Sequence, residues 1–289
     1  MYRALSSFEL FEPATVGEAA QILFAHGAGA KVLAGGVDLV TKIRQRKIEP
    51  AYVLSLKKIP ELQGITDNGE NGLRIGALAT LRSIELSAAV QSNYPVLCQG
   101  INSISSIQVK NMGTVVGNLC VATPATDVVP PLFVLGAKLK ITGVDGDKLI
   151  PIEDFFVGVN KTVLAPHEIV TEIILPGVSA GTGMAFLKIG KTGATVAKVN
   201  VAVLLVLNDG KCTEARIALG AVAPTVFRAV KAEEVLKGKN VDDSLIEQAA
   251  VTAASEASPI TDFRSTAEYR QLMVQALVKD ALQKALAGA

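Results

Sequence analysis

Two glycine-rich turns constrain this chain more than any other feature: Ala34-Gly35-Gly36-Val37-Asp38-Leu39, and Gly113-Thr114-Val115-Val116-Gly117-Asn118, the second running on to Ala122-Thr123-Pro124-Ala125-Thr126-Asp127. Each follows a segment that reads as a strand. Each is therefore expected to present side-chain-free backbone at a strand end, where main-chain N–H groups surround phosphate oxygens readily. Either turn alone fits a plain strand-to-helix connection. The pair, far apart in sequence, suits a diphosphate gripped from two sides.

The rest of the composition narrows the partners. At 289 residues and 49% apolar content, the chain has material for a substantial core and, by length, for about two domains. Its longest apolar runs, Val199 to Leu207 and Val128 to Leu135, are far shorter than the roughly 18 residues needed to cross a bilayer, so no membrane span is expected. Met1-Tyr2-Arg3-Ala4-Leu5-Ser6 carries no apolar stretch ending in a small-residue cleavage site, which predicts a cytoplasmic protein. With 28 Lys+Arg against 27 Asp+Glu, and no basic cluster interleaved with aromatics, no nucleic acid partner is expected. Cys98, Cys120 and Cys212 are too scattered for a metal or redox pair and are expected as buried thiols.

Periodicity lays out three units. A helix with apolar positions Val16, Ala19, Ala20 and Leu23 ends near His26-Gly27, Lys31 to Ala34 supplies a strand, Asp38 opens a short helix, and Tyr52 to Leu56 closes the first unit. The second begins at Leu73 to Ala77 and has a helix around Ile84 to Val90 and another through Ile101 and Ile104 that leads into the second glycine turn. Thr126 is expected to cap a helix with Pro130 in its first turn, and Lys138 to Thr142 with Lys148 to Ile152 form a hairpin. After the strand Ile169 to Leu175, Pro176-Gly177 and Ser179 to Gly183 read as a linker, placing a boundary near residue 177. Beyond it, Ala185 to Ile189, Val199 to Leu207 and Ala215 to Leu219 read as antiparallel strands, covered by helices around Ala229 to Leu236, Asp243 to Ala257 and Thr266 to Leu286.

Taken with Phe8-Glu9-Leu10-Phe11-Glu12-Pro13, Arg74-Ile75-Gly76-Ala77, Gln108 to Thr114, Ile217 to Pro224 and Ala267-Glu268-Tyr269-Arg270, the two turns make the whole chain resemble the FAD-binding medium chains of the molybdenum hydroxylases, the family of xanthine and carbon monoxide dehydrogenases. The resemblance implies an α+β architecture. Residues 1–177 would be a vanillyl-alcohol-oxidase-type (PCMH-type) FAD-binding domain of two α/β subdomains, about 1–57 and 58–177. Residues 178–289 would be a carbon monoxide dehydrogenase flavoprotein C-terminal domain, a three-stranded antiparallel sheet covered by helices.

By position, the resemblance makes Val32, Leu33, Ala34, Gly35, Gly36, Val37, Asp38 and Leu39 the first FAD loop and Thr114, Val115, Val116, Gly117 and Asn118 the second. It adds Asp127 as the acidic residue that follows, and Ile104 and Lys198 near the cofactor. Val37 stands where Thr is commoner and Val116 where Gly is commoner, which removes a hydroxyl and some backbone freedom but keeps the amide donors. Charge-assisted hydrogen bonds are worth about 1.5–3 kcal/mol each, so a few amides hold a diphosphate with no lysine. Gly36 and Gly117 are the positions where a β-branched side chain is expected to block that approach. The implied function is electron transfer: FAD takes electrons from a [2Fe–2S] small subunit, fed by a molybdopterin large subunit, in a dimer of heterotrimers, and passes them to an external acceptor. No catalytic side chain and no metal site are expected in this chain.

Two competing motifs fail on physical grounds. Ala185 to Thr192 imitates a relaxed Walker A loop, but Phe186-Leu187-Lys188-Ile189 alternates like a strand and Gly193 interrupts the helix that should follow. No G-x-G-x-x-G links a strand to a helix with an acidic residue about twenty positions on, which excludes the Rossmann arrangement. His26 and His167 have no partner spacing for a metal and are expected at the surface. A standalone flavoprotein oxidoreductase and a flavin-free scaffold remain as alternative readings, separated from the first by flavin content.

Overall fold

The computed structural model describes residues 7–104, 106–192 and 195–289. Met1 to Ser6 and Gly193, which enter the expectations above, lie outside the described residues.

The first unit is a three-stranded parallel sheet in the order Glu9–Phe11, Tyr52–Ser55, Ala30–Leu33. Its central strand is buried on both faces, with Val53 and Leu54 inaccessible, as parallel strands under helices require. The helix Val16–His26 starts at Thr15, whose hydroxyl accepts from Glu18 N, while Glu18 returns a carboxylate to Ala14 N. It buries Ala19, Ala20 and Leu23 and stops at Gly27. The second helix, Val37–Arg44, has Gly36 at its N-cap in the left-handed region, φ +80°.

The second unit is a five-stranded antiparallel sheet ordered Ile65–Asp67, Leu73–Gly76, Ile169–Leu175, Lys138–Gly143, Gly146–Pro151. It shares one core with five short helices, through Ile75, Ile173, Leu81, Ile84, Leu97 and Leu132 among others. Three expectations are corrected here. The helix around Ile84 to Val90 is two, Leu81–Glu85 and Ala88–Asn93, because Ser87 starts a new N-terminus. The second glycine turn follows a helix, Ile107–Met112, and not a strand, and Gly117 and Asn118 lie inside the next helix, Val115–Val121. Thr126 caps nothing: Val128 is the N-cap of Val129–Val134, and the Thr126 hydroxyl donates to Asn118 Oδ1.

The third unit is an antiparallel sheet ordered Thr182–Ile189, Val199–Asn208, Lys211–Gly220, Phe227–Arg228; the last, two residues long, adds a fourth strand. Its Val201, Val203, Leu205, Ile217 and Leu219 pack on the helices Val230–Leu236, Asp243–Glu256 and Ala267–Ala287. The opposite face, with Phe186, Ala202, Leu204 and Ala218, joins the core of the second unit. Burial on both faces explains why Val201 to Leu207 is continuously apolar instead of alternating. Thr182 and Gly183, read as linker, are strand; Gly183 is small because a Cβ there would overlap the Ala285 carbonyl of the last helix. The Walker-like segment is the strand Thr182–Ile189, in register with Val199–Val206.

Cys98 and Cys212 are buried, but Cys120 is exposed. His26 is half-buried, stacked between Phe11 at 5.1 Å and Tyr52 at 4.0 Å, instead of standing free at the surface. No described helix is long and apolar enough to cross a membrane.

Candidate functional site

The two glycine loops touch. A Cβ on Gly35 would overlap the Met112 carbonyl oxygen and lie 3.0 Å from Gly113 Cα, so the absent side chain is what lets the first loop seat against the second. Leu81 N–H donates to Gly113 O, and Thr80 bridges Thr114, which ties the second loop to the five-stranded unit. Gly35 thus packs its bare Cα side against the second loop, while Gly36 supplies the left-handed turn that aims the helix Val37–Arg44.

A cleft of about 430 Å³ opens on one side of this junction and another of about 480 Å³ on the other; both are lined by Ala34, Gly35 and Thr114. Eleven of the sixteen expected site residues line the first cleft: Val32, Ala34, Gly35, Gly36, Val37, Asp38, Leu39, Thr114, Val116, Gly117 and Asn118. Leu164, Glu168, Ile169 and Val170 also line it. Glu168 is held there by Lys148 at 2.6 Å and by Ala165 N–H; burial works to raise its pKa, but these partners prevail and hold it below the usual carboxylate range.

The helix Val37–Arg44 has no side-chain cap, so the N–H groups of its first turn stay open toward the cleft that Gly36 to Leu39 line. The helix Val115–Val121 is capped differently: Thr114 Oγ1 accepts from Gly117 N at 2.9 Å, which takes that amide and leaves the two before it. A Cβ on Gly117 would sit 2.8 Å from this oxygen, so the glycine protects the cap as much as the cleft. Thr114→Ala is expected to cost about 1 kcal/mol of stability in urea denaturation, with Thr114→Ser close to the parent; equal loss in both would show that the methyl and not the hydroxyl matters.

Five expected residues lie elsewhere. Leu33 faces Gly36 from the strand, and Val115 is fully buried in the core. Ile104 packs against the same core. Lys198 places its ammonium 5.4 Å from the Tyr269 ring centroid. Asp127 is buried at the junction with the third unit, where Oδ2 accepts from Lys188 at 2.5 Å and Oδ1 from Asn200 at 2.9 Å. Asn200 also donates to Thr126 O, and Lys188 to Ser103 O, so a polar chain runs from the third unit through Thr126 to Asn118 on the cleft wall.

Lys31, Lys42 and Cys120 also line the first cleft, and sequence reasoning missed them. Lys42 had a signal: it follows Asp38 by one helical turn and so shares its face. Lys31 and Cys120 had none, because each was read only as part of a strand or as a core thiol.

A parallel lobe and an antiparallel lobe meeting at two backbone-lined loops have the build of a dinucleotide-binding protein. Residues 6–178 match the FAD binding domain in molybdopterin dehydrogenase, and residues 185–285 the CO dehydrogenase flavoprotein C-terminal domain. The carbon monoxide dehydrogenase medium chain of Hydrogenophaga pseudoflava is 32% identical over 280 residues, 97% of each chain. The xanthine dehydrogenase FAD-binding subunit of Escherichia coli O157:H7 is 28% identical over 96% of this chain and 95% of its own. Among solved structures, a carbon monoxide dehydrogenase from Hydrogenophaga pseudoflava that lacks the Mo-pyranopterin moiety of its molybdenum cofactor superposes with a TM-score of 0.96 at 33% identity, covering 99% of this chain and 100% of that one. This chain belongs to the FAD-binding medium chains of the molybdenum hydroxylases, and FAD is its cofactor. The cleft fits that group: it offers an uncapped helix start, bare glycine backbone and long apolar walls.

Proposed function

We propose that this chain is the flavin-bearing electron-transfer subunit of a molybdopterin-dependent hydroxylase, taking electrons from [2Fe–2S] centres on a small subunit and delivering them to an external acceptor. A molybdopterin large subunit oxidises the substrate, and two such heterotrimers pair in the cytoplasm. Residues 1–177 form the FAD-binding domain, with subdomains about 1–57 and 58–177, and residues 178–289 dock on it. The bound flavin supplies all of the redox chemistry.

The observation that carries this reading is the contact of Gly35 with Met112 and Gly113, which brings two distant loops onto one cleft. Amides of Gly36, Val37, Asp38, Val115 and Val116 serve the diphosphate, with the Thr114 hydroxyl and Asn118 amide beside them. Asp38 accepts from a ribose hydroxyl, since a carboxylate against phosphate is repelled. Asp127 acts from behind the cleft wall, bracing the second loop through Asn200, Thr126 and Asn118, and Ile104 and Lys198 stand near the cofactor.

Purified chain should be yellow and release FAD in stoichiometric amount on denaturation, and tagged chain should co-purify subunits that carry iron and molybdenum. Colourless chain that takes up no added FAD ends the reading. Flavin without iron or molybdenum in the co-purified material leaves the cofactor and removes the assembly.

A further inference from the structure

The expectation that main-chain amides suffice for the diphosphate leaves two cations on the cleft wall without a task. Lys31, on the strand Ala30–Leu33, and Lys42, on the helix Val37–Arg44, both line the first cleft and are only half-exposed. Among the described residues neither takes part in an ion pair, although thirteen other pairs form. Of the two carboxylates in the same cleft, Glu168 is neutralised by Lys148 and Asp38 is exposed to solvent. Just beyond Lys42, the exposed Arg44, Arg46 and Lys47 are also free of ion pairs among the described residues and are followed by the single carboxylate Glu49, so the segment leading away from the cleft carries a local basic excess in a chain whose net charge is only +1. Half-buried cations beside an apolar wall are screened less than exposed ones, and a local basic excess raises the local concentration of an anion.

We propose that Lys31 and Lys42 are binding residues for the cofactor's diphosphate, the ionic complement to the glycine loops, with Arg44, Arg46 and Lys47 steering the dianion into the cleft. This rests on the FAD reading of the cleft. It makes recognition depend on the diphosphate charge, so the site discriminates FAD from the uncharged flavin nucleoside.

The test uses the full chain stripped of flavin and titrated with FAD and, separately, with riboflavin, following flavin fluorescence at low and high salt. Lys42→Gln and Lys31→Gln should each weaken FAD by about tenfold, the worth of one charge-assisted contact, leave riboflavin unchanged, and flatten the salt dependence of FAD binding. Arg44→Gln/Arg46→Gln should slow FAD association with little change in dissociation. If the lysine variants bind FAD as the parent does at both salt concentrations, the inference is overturned while the FAD assignment stands. Equal weakening of FAD and riboflavin also overturns it, because the charge then acts on something other than the diphosphate. A parent chain that takes up no FAD overturns the functional reading itself.

Discussion

Gly35→Val gives a chain that folds and carries no flavin. The glycine's missing Cβ is the space into which the Met112 carbonyl oxygen fits, with Gly113 Cα 3.0 Å from where a Cβ would stand. Both are backbone, so neither rotates away, and relief comes only from moving one loop off the other. The contact itself lies outside the core: Gly35 follows a strand end and Gly113 stands at a helix end, each half-exposed. The stability cost is therefore that of local overpacking, about 1–3 kcal/mol, while the two-sided grip is lost outright. Gly36→Val has a different cause with the same visible result. At φ +80° a β-branched residue is strained, and the first turn of the helix Val37–Arg44 tilts out of the cleft. Flavin content per chain, read from the visible spectrum beside a thermal melt, separates these outcomes. Retention of full flavin by Gly35→Val would mean that the loops need not touch to hold FAD.

The structure shows which parts of this were written in local sequence. Gly36 was legible because a positive φ selects glycine wherever it occurs, and Thr266 and Gly27 marked helix ends through local hydrogen bonds alone. The second loop was misread because Ile107–Met112 is too short to show a helical period, and its apolar residues fit a strand equally well. At Gly35 the sequence did not announce the constraint that Met112 imposes, a contact between segments far apart in sequence. Asp127 and the continuous apolar run of Val201 to Leu207 have the same origin: the third unit lies against the second, and nothing local announces it.

Lys188→Met separates that junction from the cleft. Lys188 and Asp127 have side chains 7% and 8% exposed with their charges 2.5 Å apart, so the substitution leaves a carboxylate in the interior with Asn200 and Ser103 as its remaining side-chain donors. Removing one partner of a buried pair costs about 3–5 kcal/mol, which for a chain of this size lowers Tm by about 10 °C. The loss depends on pH with a definite sign. Burial is the largest influence on Asp127 and pushes its pKa above the ordinary value, with Lys188 and then Asn200 opposing. In the window between the unfolded and the folded pKa the native chain holds the proton more tightly, so stability falls as pH rises through it. Without Lys188 the window extends upward, and the gap in Tm between variant and parent widens from pH 5 to pH 8 and narrows toward acid. Asp127→Asn/Lys188→Met, which leaves no buried charge, should recover most of the loss at pH 8. Because Thr126 links this site to Asn118, the single variant should also bind FAD more weakly at pH 8 than at pH 5, relative to the parent. A Tm within about a degree of the parent at every pH would show that solvent reaches the pair and that the third unit does not brace the cleft.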